Sequence, residues 1–152
     1  MEVFRLARER YATPLSGKGA ALRGARWNSM GVELIYTAQN RSLAMAGVAV
    51  HLTLATLPED YVMVTLNIPE SVKIKELAES DLPVDWRDFP HPNSTQKIGN
   101  DFVSENKFGV LKIPSVVTKG EFNFLINPNH KDFKKISIKR IEKFPFDKRI
   151  FE

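Results

Sequence analysis

Six stretches of this chain read as β-strands against one apolar helix, and the strands do not alternate regularly with helices. The strand-like runs are Glu2–Ala7, Val32–Ala38, Tyr61–Pro69, Phe108–Ser115, Phe122–Ile126 and Lys134–Lys143. Branched and aromatic residues dominate several of them, as a pleated, half-buried surface favours. A parallel doubly wound sheet needs a helix between successive strands, and that rhythm is missing. The order therefore predicts an α+β fold, a mixed twisted sheet with flanking helices. At 152 residues it should form one domain spanning 1–152.

The one helix is expected over Leu43–Leu52, apolar nearly all round and so buried, with Ser42 as its N-cap. Residues 12–31 hold Pro14, Ser16, Gly17, Gly19, Gly24 and Gly31 and read as loop. Residues 78–101 contain Pro83, Pro90 and Pro92 among many polar residues, which predicts a long connection with one short helix. With ten Phe and 43% hydrophobic residues, the chain can fill a core without a disulfide or metal. It has no Cys, which excludes a disulfide scaffold, a thiolate metal site and a cysteine nucleophile. Its first residues lack the apolar core of a signal peptide and no run approaches a membrane span, so the expected location is the cytoplasm.

One loop carries an unusual density of chemistry. In Gly24-Ala25-Arg26-Trp27-Asn28-Ser29-Met30-Gly31 an Arg and a Trp stand between glycines, and Tyr36 follows ten residues after Arg26. A guanidinium offers a permanent cation and a planar fork of donors that suits phosphate. Glycines let backbone approach a ligand, and aromatic rings supply flat surfaces. The set suits a nucleotide bearing a pyrophosphate. Arg26 equally suits pairing with Glu33 or a backbone carbonyl, Trp27 suits a core, and Asn28 suits a cap or turn.

Other features are less specific. Ser115 ends a strand, where its hydroxyl can hold a phosphate or water, or satisfy a turn amide. Asn127-Pro128-Asn129-His130 is a turn by composition. His51 falls within the apolar helix as a core residue, and His91 and His130 lie in loops without metal-ligand spacing, so no metal is expected. No nucleophile-elbow, Walker or dinucleotide-fold motif occurs. Residues 107–152 hold eleven Lys or Arg against five Asp or Glu, net +6. Such a basic third can contact nucleic acid or be a solvated strand surface. Few aromatics interleave with its lysines, so direct nucleic-acid binding is not expected.

Taken in order, these pieces resemble the RES domain family, the toxin half of bacterial RES–Xre toxin–antitoxin pairs. Phe4-Arg5 resembles the family's opening strand and Gly24–Gly31 its Gly-x-Arg-Trp-Asn signature. Ile35-Tyr36-Thr37-Ala38 resembles the tyrosine strand, and Ser42-Leu43-Ala44-Met45-Ala46 opens the helix after it. Leu111–Ser115 carries the family's serine, Leu125–His130 its Asn-Pro element and Phe146–Ile150 its closing segment. The resemblance implies a fold similar to ADP-ribosyltransferases and an enzyme that consumes NAD by cleaving its nicotinamide–ribose bond. The acceptor would be water, phosphate or a protein side chain. Arg26, Trp27, Asn28, Tyr36, Ser115 and Asn127 would bind NAD, with Arg26, Tyr36 and Ser115 in the catalytic pocket. The partner would be an Xre-like helix-turn-helix antitoxin, with a homodimer inside the toxin–antitoxin complex.

The family's acidic residue aligns with Gly47. In glycosyl transfer a carboxylate stabilises the positive charge that develops on the ring. Its loss predicts a cavity that still binds NAD but turns it over weakly. Protein ADP-ribosylation is the second enzymatic reading. A non-enzymatic module binding protein or nucleic acid is the rival from another class.

Overall fold

A computed structural model describes residues 1–152 as a seven-stranded sheet carrying three helices. The strands are β1 (Glu2–Arg8), β2 (Ile35–Ala38), β3 (Tyr61–Asn67), β4 (Ile74–Glu76), β5 (Val110–Pro114), β6 (Phe122–Ile126) and β7 (Ser137–Lys143). The helices are α1 (Lys18–Arg23), α2 (Arg41–Ala49) and α3 (Asn93–Glu105). The spatial order is β4-β5-β6-β2-β1-β3-β7, antiparallel throughout except for the β4–β5 edge. This is the expected α+β class with a mixed sheet. No helix is long and apolar enough to cross a membrane.

The sheet is weakly stitched at one place. β1 and β3 pair over seven residues, whereas β1 and β2 share the single registered pair Phe4 with Ala38. Two halves, β4-β5-β6-β2 and β1-β3-β7, therefore meet along a seam. The main core, with Val3, Ile35, Val64, Leu66, Val110 and Ile126, spans both. The two longer helices cover different halves. α2 sets Leu43 and Ala44 on Phe4, Leu6 and Met63, and α3 sets Phe102 among Trp27, Trp86, Leu111 and Leu125.

Several local expectations change. Asn40, not Ser42, caps α2, its side-chain oxygen accepting from the Leu43 amide at 2.8 Å. That helix is not buried all round, because only Leu43 and Ala44 are buried. His51 lies beyond its end and is exposed, so it is no core residue. The 12–31 segment contains α1. The connection at 78–101 holds the start of α3, which at 13 residues is the longest helix. Its inner stripe is Thr95, Gly99 and Phe102, spaced four and three apart but small or polar at two of three positions. An apolar period could not reveal it. β4 was not anticipated either, since three residues on a parallel edge carry little pattern.

β7 is an exposed edge strand and carries much of the basic third. Lys139 and Arg140 reach Glu2, Arg140 also meets Glu142, and Lys135 meets Asp132. Charges along an exposed edge discourage pairing with another chain. That arrangement favours the solvated-surface reading of the basic residues.

Candidate functional site

The Arg-Trp-Asn loop is fixed from behind by one amide. After α1, Gly24 turns the chain at φ 73°, and Ala25 and Asn28 exchange backbone hydrogen bonds. A left-handed φ of this kind favours glycine. Asn28 is wholly buried. Its side-chain nitrogen donates to the Ala20 and Val32 carbonyls at 2.9 and 3.0 Å. Its oxygen accepts from the Tyr36 hydroxyl at 2.6 Å, and that hydroxyl accepts from the Trp27 amide at 3.0 Å. Burial pushes the Tyr36 phenol well above its ordinary pKa. Tyr36 therefore stays protonated at neutral pH and acts as a donor rather than a base.

The polar side of α3 holds the same loop from another direction. Thr95 donates to the Arg26 carbonyl at 2.6 Å and Gln96 to the Ala25 and Asn28 carbonyls. Asn100 bonds both the amide and the hydroxyl of Ser29. Removing the Tyr36 hydroxyl orphans the Trp27 amide and the Asn28 oxygen together. Tyr36→Phe should lower stability by about 1–3 kcal/mol, read as a fall in denaturant midpoint with the slope unchanged. An unchanged midpoint would show that this hydroxyl does not secure the loop.

In front of the loop, at the seam between the sheet halves, lies a cavity of about 1020 Å³. Phe4, Arg5 and Leu6 of β1 line it, as do Tyr36, Thr37 and Ala38 of β2 and Leu43, Ala44 and Gly47 of α2. Arg26 and Trp27 come from the loop, and Arg87, Phe89 and His91 from the segment before α3. The lining carries Arg5, Arg23, Arg26 and Arg87, the last paired with Glu79 outside it, and no Asp or Glu. Such a one-sided wall attracts anions.

Four of the residues singled out in the sequence, Arg26, Trp27, Tyr36 and Gly47, converge on this cavity. Arg26 donates through Nη1 to the Trp86 and Asp88 carbonyls, each at 2.9 Å, and does not pair with Glu33. No other hydrogen bond from its guanidinium is present. Burial lowers its pKa, and a guanidinium in a protein keeps its charge, so it stays cationic. A Cβ built on Gly47 meets nothing within 4 Å, so a side chain there has room.

The other three do not reach the cavity. Asn28 stands behind the loop with its amide occupied. Ser115 is 1% exposed, and its Oγ accepts from the Val117 and Thr118 amides at 3.1 and 3.0 Å. It closes a turn after β5, leaving Val116 and Val117 to line the cavity. Asn127 is wholly buried just past the end of β6, donating to Asn106 and accepting from the Asn129 amide. Asn123, at the other end of β6, lines the cavity instead and donates to the Thr37 carbonyl at 3.1 Å.

Arg5 is the residue that sequence reasoning missed. Its Nη1 is buried without a hydrogen-bond partner, and no carboxylate pairs with it. Burial lowers its pKa, and like any guanidinium in a protein it keeps its charge. A partly buried cation without a partner is costly, and its position suits an anionic group. The signal in the sequence was an Arg set inside the otherwise buried run Val3-Phe4-Arg5-Leu6-Ala7.

Comparison with known proteins gives consistent results. The family model described as RES domain matches residues 2–147. A protein of Sphingobium sp. (strain YBL2) named Prs ADP-ribosylating toxin is 34% identical over 146 residues, covering 95% of this chain and 91% of that protein. Toxin Res of Yersinia enterocolitica is 35% identical over 153 residues, covering 99% of both chains. Among solved structures, a chain of the M. tuberculosis MbcT–MbcA toxin–antitoxin complex superposes with a TM-score of 0.77 at 16% identity, over 99% of this chain and 86% of that one. That likeness supports the fold. A match over nearly the whole length, carried by relatives above 30% identity, settles the affiliation: this chain belongs to the RES domain family.

Proposed function

We propose that the seam cavity binds NAD and that the chain is an attenuated NAD-consuming toxin. The observation that carries this reading is the unpaired Arg5 guanidinium in a cavity that Arg26 also lines and whose lining has no acid. A pyrophosphate supplies the negative charge such a wall lacks, and the Trp27 and Tyr36 rings flank the same space. The relative named an ADP-ribosylating toxin supports the substrate, since ADP-ribosylation draws its ADP-ribose from NAD.

In the reaction, the bond between the ribose C1′ and the nicotinamide nitrogen breaks and its electrons leave with nicotinamide. C1′ becomes oxocarbenium-like, and water, phosphate or a protein nucleophile then adds to it. Arg5 and Arg26 would hold the pyrophosphate, fixing the ribose near α2. Tyr36 would act through its ring and by holding the loop through its hydroxyl, with Asn28 fixing that hydroxyl. Position 47 faces the cavity where a carboxylate would meet the developing charge. With Gly there, binding remains while the barrier rises. Hydrolysis or phosphorolysis is the first choice for the acceptor step, and the Sphingobium relative favours protein modification as the second. By the names of its relatives and of the MbcT–MbcA complex, the partner in the cell is an antitoxin, of the helix-turn-helix class by family resemblance.

The test is calorimetric titration of NAD into the parent, Arg26→Ala and Arg5→Met. The parent should bind, and both variants should lose most of the affinity. In the absence of ligand, Arg5→Met should melt higher than the parent, because replacing an unpaired buried charge by an apolar chain of similar length relieves desolvation. A parent that binds neither NAD nor ADP-ribose at millimolar concentration would remove the assignment.

A further inference from the structure

The segment before α3 is held by several contacts around Trp86, while Phe89 stands exposed at the cavity. Trp86 is 5% exposed and packs among Trp27, Phe102 and Leu111. The Arg87 guanidinium lies over the Trp86 ring at 4.4 Å and bonds Glu79 at 2.7 Å. Ser94 donates to Asp85 at 2.7 Å, and the Asp88 amide donates to the Asp85 carbonyl at 2.9 Å. Arg26 then grips the Trp86 and Asp88 carbonyls from below. The next residue, Phe89, is 84% exposed and still lines the cavity.

A phenyl ring left in water on a well-anchored segment gains nothing from the core. Phe4 and Trp27 are buried and the Tyr36 hydroxyl is tied into the loop, so among the aromatic residues that line the cavity Phe89 offers the most exposed face. We infer that Phe89 is a ligand-contacting residue whose ring stacks on a planar heteroaromatic base of the bound nucleotide, held in register by the Arg26 grip on the residues before it. The inference rests on the nucleotide reading given above and adds a specificity element to the same site. Because Arg26 holds this segment and also stands in the anion-binding wall, ligand binding and the placement of the ring are coupled through one guanidinium. The ring's partner is either adenine or nicotinamide, two sources of the same flat chemistry.

The experiment measures dissociation constants of NAD, ADP-ribose, nicotinamide mononucleotide and inorganic pyrophosphate for the parent, Phe89→Ala and Phe89→Trp. Phe89→Ala should weaken NAD by about ten- to a hundredfold, the range that base–aromatic stacking commands. It should weaken one of the two single-base ligands likewise and leave pyrophosphate unchanged. Loss with ADP-ribose identifies adenine as the partner, and loss with nicotinamide mononucleotide identifies nicotinamide. Phe89→Trp should restore the affinity, and melting temperatures should not move because the ring is exposed. Equal loss for pyrophosphate, or none for NAD, overturns the inference. So does a variant that binds NAD normally but no longer binds the antitoxin, which would make the ring a docking contact. If the parent itself fails to bind NAD, the nucleotide reading has failed first, and the parent titration alone shows it.

Discussion

Replacing Gly47 by Glu should raise nicotinamide release from NAD by about a hundredfold or more. A carboxylate beside a developing oxocarbenium commonly lowers the barrier by a few kcal/mol, and each ~1.4 kcal/mol is tenfold in rate. The structure permits the substitution without repacking. Gly47 lies inside α2, lines the cavity and has no positive φ, and a Cβ there has no neighbour within 4 Å. Glu is also a better helix former than Gly by about half a kcal/mol, so the variant should fold at least as stably. Nicotinamide release by parent and Gly47→Glu, followed by chromatography at saturating NAD, decides the matter. Equal rates would show that position 47 does not carry the catalytic charge. In a cell the same variant should be the more toxic, and co-expression of the antitoxin should suppress that gain.

The second large effect comes from the other mid-helix glycine and has the opposite sign. A Cβ on Gly99 would stand 1.6 Å from the Trp27 carbonyl oxygen and 2.7 Å from its carbonyl carbon. Both are backbone atoms of the loop that Thr95, Gln96 and Asn100 hold against α3. To admit one methyl group, helix and loop must separate, which weakens those hydrogen bonds and the packing of Trp27 on Phe102. Helix propensity favours Ala over Gly by about 1 kcal/mol, while forced overpacking costs typically 1–3 kcal/mol and more when backbone must move. Sterics win. Gly99→Ala should lose about 3 kcal/mol, a fall in melting temperature of roughly 6–12 °C for a domain of this size. Gly47→Ala, made in open space, should instead gain up to about 1 kcal/mol. If the two alanine variants melted alike, the close contact between α3 and the loop would be refuted. NAD affinity should fall in Gly99→Ala, because Arg26 and Trp27 ride on the displaced loop, and should hold in Gly47→Ala.

These two glycines illustrate what a pattern of residues can and cannot convey. Helix propensity does not tell them apart, since both interrupt a helix. Their consequences differ because Trp27 is folded against Gly99, and position 47 opens onto a cavity. Ser115 and Asn127 show the same limit. Both occupy the expected places at strand ends, yet their hydrogen bonds go to nearby turn amides and to Asn106, and neither lines the cavity. Asn123 and Arg5 line it instead, placed there by strands whose neighbours are distant in sequence.

The amino-acid order by itself determined the α+β class, because strand runs are local patterns, and the family, whose resemblance implied one site for Arg26, Trp27, Tyr36 and position 47. The tertiary structure alone decided that β1 and β2 part beside one registered pair, that α3 buries a small and polar stripe, and that Arg5 is left without a counter-ion. Each of those depends on which groups, 30 to more than 100 residues apart, come into or fail to come into contact. Side-chain periodicity records that a residue is buried, but not what it is buried against.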